Sequence, residues 1–391
     1  MRSTLLIFFA VFFQYSCGNA INPVLAPLAI QTGMTAVQTG LFFTLSSLMW
    51  LAASPYWGRQ SETMGRKRVM LIGLGSCSAL YMLFAVLGGW GVAGRPSPLL
   101  LFVLLLLIRI ASGMFFSTVP VAAQAYVADT TEGGDRAAAM TMVWMASGLG
   151  SIAGPSLGVF SKYDLMAPLF IGSLLPLLGF LLVWAYLAPS KAAVRPAERA
   201  AVKIHPFDGR ILRFLFIIAS LQASVLAIQV TTGFFIEGAL HFSPGETAQT
   251  AGLLFMLAGA VSVASQVFFV RILKLSPGVL LKMGAPVVLL SSLGLFFHDH
   301  ITAVYLSFAL LGLGTGLVLP GATASASLSA DAAGQGIVAG RISAAQGLGT
   351  ALGPLFGTAL YHFGSVYPYI LTGSLFLTAS ILAWTKWRPG V

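Results

Sequence analysis

Apolar residues in this chain come in long unbroken runs rather than alternating with polar ones. A helix needs about 20 residues to cross the hydrocarbon core of a bilayer. Runs of that length fall near 4–22, 38–57, 69–90, 99–122, 137–160, 166–187, 213–236, 248–270, 279–297, 301–324, 338–360 and 366–385. Short segments rich in charge, Gly and Pro separate them. Several runs contain Gly or Pro, which membrane helices tolerate when neighbouring groups satisfy the freed backbone. The pattern predicts an all-α integral membrane protein with twelve transmembrane helices. The longest polar stretch, Pro189 to Arg213, divides them into two groups of six. The expected organisation is a six-helix bundle over 1–188, a cytoplasmic linker over 189–212 and a second six-helix bundle over 213–391.

The distribution of charge tests this count. With the N-terminus on the cytoplasmic side, the inner segments hold eighteen of the 21 basic residues, among them Arg59, Arg66, Lys67, Arg68, Arg136, Lys191, Arg271, Lys274, Lys282, Arg341 and Arg388. The outer loops hold Arg95 and Lys162, and Arg109 lies inside a run. An inserted or missing span would invert every later loop and destroy this asymmetry, so the positive-inside rule supports an even number of spans with both termini cytoplasmic. The setting expected from this is the inner (plasma) membrane of a bacterium.

Composition agrees. Hydrophobic residues make up 57% of the 391 positions and charged residues 8%, against about 25% charged in an ordinary soluble domain. The net charge of +10 is carried by short loops, with no basic stripe interleaved with aromatics, so it does not point to nucleic acid. Arg2 and the apolar run after it resemble a signal peptide, but the run continues past Cys17 without a cleavage pattern and reads as the first span. Cys17 and Cys77 lie in apolar segments with no metal spacing, and His298-Asp299-His300 reads as an outer loop. No metal or other cofactor is expected. An intramembrane enzyme would need paired acids or a His cluster within the spans, and the chain has neither; a receptor or scaffold reading lacks any soluble effector segment.

The halves resemble each other at a period near 200 residues. Val119-Pro120-Val121-Ala122 aligns with Leu319-Pro320-Gly321-Ala322, and Gly150 to Gly158 aligns with Gly349 to Gly357, both reading GxxxGPxxG. On this alignment Arg109 corresponds to Ala309. Repeats of six spans share one orientation, so their symmetry axis runs along the membrane normal and a substrate site is expected at mid-depth between them. Small residues four apart let helices approach closely, and the prolines permit a bend.

At these residues the chain resembles the major facilitator superfamily, and within it the twelve-span drug–proton antiporters. The segment Gly58-Arg59-Gln60-Ser61-Glu62-Thr63-Met64-Gly65-Arg66-Lys67-Arg68 is similar to the family's G-x-L-x-D-R-x-G-R-R/K loop. Gly58, Gly65, Arg66 and Lys67 match it, and Glu62 stands where Asp is usual. The resemblance implies that Glu62 latches the halves at the inner face. Arg109 in Arg109-Ile110-Ala111-Ser112-Gly113 resembles the span-four R-x-x-x-G pattern. An ionised Arg within a span costs at least about 2.5–3.5 kcal/mol without partners, so it should face a cavity or a polar network. Gly150, Gly154, Pro155 and Gly158 match the span-five pattern that the family associates with export; Gly353 and Pro354 repeat it in the second half. Asp129 and Arg136, and Asp331 and Arg341, are family-like inner-face charges, equally readable as solvated.

The resemblance implies alternating access around a central site lined by spans 1, 4, 7 and 10. Gln14, Tyr15, Asn19 and Asn22 in the first span, Gln222, Gln229, Thr231 and Thr232 in the seventh, with Gln124, Gln266 and Gln346, are the polar candidates. Each of these either lines the site or joins helices. Aromatic and Met residues such as Phe13, Trp50, Phe115, Trp144, Met145 and Met256 either form an adaptable wall or face lipid. No Asp or Glu lies deep in a span; Glu237, at the outer end of the seventh, is the nearest. The function expected is secondary active transport of a small amphipathic molecule, by proton-coupled export of a drug-like compound or a carboxylate metabolite such as a siderophore. The rival is a nutrient importer of the same fold. The expected partners are that substrate, protons and the bilayer, with the protein acting as a monomer.

Overall fold

The computed structural model describes residues 2–94, 96–131, 133–189, 209–296, 300–329 and 335–384. Among the described residues it is all helix. The order is α1 (Arg2–Asn19), α2 (Leu25–Thr32), α3 (Ala36–Thr63), α4 (Arg66–Val92), α5 (Pro98–Phe116), α6 (Thr118–Thr130), α7 (Gly133–Ser156), a 3-10 stretch (Leu157–Lys162) and α8 (Ala167–Tyr186). The second series is α9 (Gly209–Leu240), α10 (Pro244–Ser265), a π-helical stretch (Gln266–Ile272), α11 (Pro277–Gly294), α12 (Ile301–Leu328), α13 (Gln335–Tyr361) and α14 (Tyr367–Trp384).

Ten helical segments among the described residues are long and apolar enough to cross a membrane, with α5 and α6 together forming one. The remaining two expected runs are α1 and α13. The first is short because its helix stops at Asn19, and the second carries Arg341, Ser343 and Gln346 among its glycines. Large apolar side chains lie bare along the spans, such as Leu99 at 67% and Ile381 at 60% exposure. In water such a surface would drive association; in a bilayer it meets lipid tails.

Local chemistry explains where helices begin and end. Thr35 and Gln38 form a reciprocal capping box at the start of α3. Ser97 caps α5, whose first residue is Pro98. Gly65 turns the chain from α3 into α4 at φ 88°, a left-handed conformation that suits glycine. Of the signature glycines in this segment only Gly65 makes a turn. Gly58 lies within α3, and a Cβ there would meet nothing nearer than Val121 at 3.8 Å.

The chain forms two compact units, one of Met1–Pro196 with Ile236–Leu253, the other of Ala197–Phe235 with Leu254–Val391. In the first, α1 packs on α7 and α8, while α4 packs on α5 and α8. Its core includes Ile7, Val11, Trp57, Met70, Leu74, Val119 and Tyr126. In the second, α11 packs on α12 and α14.

The internal repeat is visible in the packing of each unit: positions in α5 and α6 recur in α12 at a register of 199 residues, and their packing partners in α3 and α4 recur in α10 and α11 at 212 and 211. Gly113 abuts the Ser46 carbonyl, and Gly312 abuts that of Ala258. Gly73 faces Thr118 and Val119, and Gly284 faces Leu317 and Val318. Prolines 120 and 320 are therefore one residue out of step, and Arg109 corresponds to the buried Phe308 rather than to Ala309.

Candidate functional site

The polar core of the first unit is built around Arg109. The R-x-x-x-G spacing places Arg109 and Gly113 one turn apart on one face of α5. Gly113 has no side chain between it and the Ser46 backbone, so α5 lies directly against α3. This brings the guanidinium within reach of α3: Nη2 donates to Ser46 Oγ at 3.1 Å, and Nη1 donates to Tyr81 Oη on α4 at 2.7 Å. The Arg109 carbon Cζ lies 5.5 Å from the Phe43 ring centroid and 5.8 Å from that of Tyr81. Tyr81 Oη in turn donates to the Gly18 carbonyl of α1 at 3.4 Å. Arg109 is 6% exposed, and its Nε has no hydrogen-bond partner among the described residues. Hydroxyls and ring faces, rather than a carboxylate, surround the charge. The polar network expected on grounds of cost is present, and four helices contribute to it.

Of the two roles open to Gln14, the structure shows the one that joins helices. It is fully buried, and its Nε2 donates to the Phe116 carbonyl at 2.8 Å and approaches Cys77 Sγ at 3.7 Å. The cause is Pro120. In a continuous helix the amide of residue 120 would bond the carbonyl of 116; proline has no such donor. The span predicted over 99–122 accordingly breaks at Ser117 into α5 and α6. Side chains take up the freed carbonyls: Gln14 bonds that of Phe116, while Trp57 Nε1 at 3.0 Å and Ser117 Oγ at 2.8 Å bond that of Met114. Gln14 is thus a brace across the break.

Asn19 and Asn22 lie where α1 ends before Pro23. Asn19 Nδ2 donates to the Tyr15 carbonyl at 2.8 Å and approaches Ser151 Oγ at 3.5 Å; Asn22 Nδ2 donates to Asn19 Oδ1 at 3.3 Å. Asn19 is half-buried, and Asn22 is buried. Gln124, Gln222, Gln229 and Gln346 are each half-buried, and no hydrogen bond joins their side chains among the described residues. Gln266 begins the π-helical stretch and is exposed, with Nε2 3.4 Å from Ser262 Oγ. Glu237 is half-buried near the end of α9, with Oε2 enclosed and unbonded among the described residues. The structure thus brings Asn19 and Asn22 together.

The glycine stripe on α7 is a contact surface for α1. A Cβ on Gly150 would lie 2.6 Å from the Phe12 carbonyl and 2.7 Å from Tyr15 Cβ; one on Gly154 would lie 2.8 Å from Asn19 Cβ. Gly158 faces the Ala248 carbonyl, Pro23 and Gly252, each about 3 Å from such a Cβ. In the second unit Gly349, Gly353 and Gly357 meet Ala219, Gln222, Ala223 and Ala227 of α9 in the same manner. Pro155 and Pro354 lie inside α7 and α13.

At the far end of α4, Arg66 Nε bonds Asp129 Oδ2 at 3.0 Å, with side-chain exposures of 7% and 11%, and Arg66 Nη1 also bonds Ser61 Oγ. Lys67 Nζ donates to the Trp184 carbonyl at 2.8 Å. Glu62, the expected latch, is exposed and forms no ion pair among the described residues; the carboxylate that holds the arginine is Asp129. Arg136, Asp331 and the His298-Asp299 pair lie outside the described side chains. Among the described residues no group of three or more metal-ligating side chains forms, and Cys17 and Cys77 are buried free thiols. Ser46, Tyr81 and Phe43 went unnoticed in the sequence because nothing in the spacing links them to a residue 28 to 66 positions away.

The family model described as Major Facilitator Superfamily matches residues 7–339 and 287–390. The chain belongs to the major facilitator superfamily. Multidrug resistance protein 2 of Bacillus subtilis (strain 168) is 26% identical over 333 residues, which cover 81% of this chain and 78% of that protein. Among solved structures, the human organic anion transporter MFSD10 matches with a TM-score of 0.68 at 18% identity, over 98% of this chain and 99% of that one. The nucleoside transporter NupG matches with a TM-score of 0.73 at 13% identity, over 97% and 98%. A bacterial homologue of the iron transporter ferroportin matches with a TM-score of 0.70 at 16% identity, over 98% of both chains. These likenesses establish the fold. The superfamily member described here is a membrane transporter and not an enzyme.

Proposed function

We propose that this transporter exports a small amphipathic molecule, a drug-like compound or a carboxylate metabolite, by alternating access in exchange for protons. The observation that carries the reading is the α7 stripe. Gly150 and Gly154 place α7 at backbone contact with α1, and Gly158 in the 3-10 stretch after it meets Ala248–Gly252, in the GxxxGPxxG pattern that the family resemblance links to export. The multidrug resistance relative, spanning most of both chains, agrees with that direction.

In this reading the α1 break with Asn19 and Asn22, beside the half-buried Tyr15, contributes polar groups that orient a mostly apolar substrate, and the half-buried glutamines add others. The enclosed Arg109 acts on transport by tying α5 to α1, α3 and α4. Asp129 and Arg66 form an ion pair within the first unit that ties α6 to the start of α4. The test is transport by purified protein in proteoliposomes with imposed pH gradients, using a panel of lipophilic cations, neutral drugs and organic acids. Uptake into vesicles of inside-out protein, driven by an acid interior, supports export by antiport. Accumulation driven by co-moving protons in right-side-out vesicles refutes export, and transport indifferent to the gradient refutes the coupling.

A further inference from the structure

We infer that one edge of α7, with the end of α1 beside it, is a binding face for a planar aromatic molecule that carries hydrogen-bond donors, such as a phenol or an aromatic amine. The inference rests on the proposed export function and narrows its substrate class, away from the carboxylate. Positions 144, 147, 148 and 151 recur at helical spacing and so share one side of α7. Trp144 is 60% exposed, Gly148 and Ser151 are exposed, and Ser147 is half-buried. A chain of polar contacts joins this edge to α1. Asn22 Nδ2 donates to Asn19 Oδ1 at 3.3 Å, and Asn19 Nδ2 approaches Ser151 Oγ at 3.5 Å. Ser151 Oγ donates to the Ser147 carbonyl at 2.9 Å, and Ser147 Oγ donates to the Trp144 carbonyl at 2.7 Å. The four α7 positions lie within the membrane-spanning length Ala139–Lys162.

What this edge faces follows from its composition. On α5 and α8 the exposed positions between 99 and 107 and between 170 and 181 are all Leu, Val or Phe, as a lipid contact requires. The exposed arc of α7 is divided. Met145 and Leu149 make one edge apolar; Trp144, Gly148 and Ser151 make the other, which borders Asn19. Polar groups bare in hydrocarbon are costly, so the first edge meets lipid and the second faces water. There is room on it, because a Cβ on Gly148 would meet nothing within 4 Å. The chemistry then selects the ligand. Each serine hydroxyl has one hydrogen and gives it to a helix carbonyl, so Ser147 and Ser151 present oxygen lone pairs outward and a ligand must bring the donor. The indole of Trp144 offers an open ring face for stacking. Gly148, one turn further on, leaves bare backbone beside it over which a flat ring can extend. No charged residue occurs from 137 to 156 or in α1 after Arg2, and Arg109 is enclosed, so nothing on this face balances a carboxylate.

The test reads binding to purified protein in detergent, with no gradient, so its failure is told apart from a failure of export or proton coupling in proteoliposomes. The probes are 2-naphthol, 2-methoxynaphthalene and 2-naphthoate at neutral pH, followed by equilibrium dialysis against matched empty micelles. The expected result is saturable binding of 2-naphthol, about two- to tenfold tighter than 2-methoxynaphthalene, which lacks the donor, and tighter than 2-naphthoate. Trp144→Ala weakens 2-naphthol and 2-methoxynaphthalene alike, by about tenfold. Ser147→Ala combined with Ser151→Ala brings the two to equal affinity and leaves 2-methoxynaphthalene where it was, a pattern that misfolding would not produce. Should Trp144→Ala fail to fold, Gly148→Leu carries the test, since it fills the open place beside the indole and weakens both ligands. Four outcomes overturn the inference: no saturable 2-naphthol binding above empty micelles, equal wild-type affinity for 2-naphthol and 2-methoxynaphthalene, wild-type affinity in either folded variant, or tightest binding of 2-naphthoate, which would make the face an anion receptor.

Discussion

Replacing Gly150 by alanine measures how tightly α7 is held to α1. The added Cβ would stand 2.6 Å from the Phe12 carbonyl oxygen, 2.7 Å from Tyr15 Cβ and 3.1 Å from the Ser16 amide nitrogen. Ordinary contact begins near 3.4 Å, so α1 or α7 must withdraw by 3.4 − 2.6, or 0.8 Å, and two of the three obstacles are backbone atoms that cannot rotate away. Overpacking of this size costs about 1–3 kcal/mol. Alanine also gains about 0.5–1 kcal/mol over glycine inside a helix. Gly148 separates the two effects. It lies on the same helix two residues earlier, and a Cβ there meets nothing within 4 Å. Gly148→Ala keeps the propensity gain and omits the clash. The difference in unfolding free energy between Gly150→Ala and Gly148→Ala, read in mixed-micelle denaturation, is therefore the packing term alone, about 1–3 kcal/mol against Gly150→Ala. Gly349→Ala should behave like Gly150→Ala, since its Cβ would lie 2.8 Å from Gln222 Cβ and 3.0 Å from the Ala223 amide nitrogen. Equal stability of Gly150→Ala and Gly148→Ala would refute the claim that the stripe holds α1 at backbone distance.

Two further perturbations examine the first unit. Arg66 and Asp129 are both largely enclosed, so removing either partner strands the other's charge: Arg66→Met and Asp129→Asn should each lower stability by about 3–5 kcal/mol. The double variant should lose much less than the sum, and an additive double-mutant cycle would show that the pair is not coupled. Gln14→Leu should cost about 1–3 kcal/mol by stranding the Phe116 carbonyl. That penalty should shrink in a Pro120→Ala background, where the restored amide bonds the same carbonyl, and a penalty of equal size in both backgrounds would rule out the brace.

Much of the fold was legible because the bilayer imposes a length on each apolar run, and the runs predicted at 38–57, 69–90 and 301–324 lie within α3, α4 and α12. The departures have local causes. The helix beginning at Ala36 continues to Thr63, because the charged residues Arg59 and Glu62 mark a polar surface and not a helix end; the stop is Gly65 with its positive φ. The span over 99–122 splits at Ser117 because Pro120 removes a donor whose acceptor is then taken by Gln14, 102 residues away. Composition signals that a polar residue in a span needs a partner, but not whether the partner is substrate or backbone. For Gln14 both were open, and the structure gives the second. Arg66 and Asp129 were both visible as charges near the inner face, yet the pairing of one with the other depends on how α4 and α6 meet, which no local pattern encodes.

The register of the repeat sets Arg109 of the first unit against an apolar residue in the second. Both units use glycine in the same way, with Gly113 and Gly312 drawing a helix onto the backbone of a neighbour, and Gly150 and Gly349 doing so for another pair. Close packing is therefore a property of the scaffold and is independent of Arg109. At the position equivalent to Arg109 the second unit places Phe308, buried at 1% exposure among apolar neighbours. Apolar packing suffices at that point in one copy, so the fold does not demand a charge there in the other. Enclosing a guanidinium costs several kcal/mol, and the equivalent position in the second unit is filled by phenylalanine without that cost. The hydrogen bonds from Arg109 to α3 and α4, and from Tyr81 onward to the Gly18 carbonyl, tie that charge to the end of α1, where Asn19 bonds Asn22.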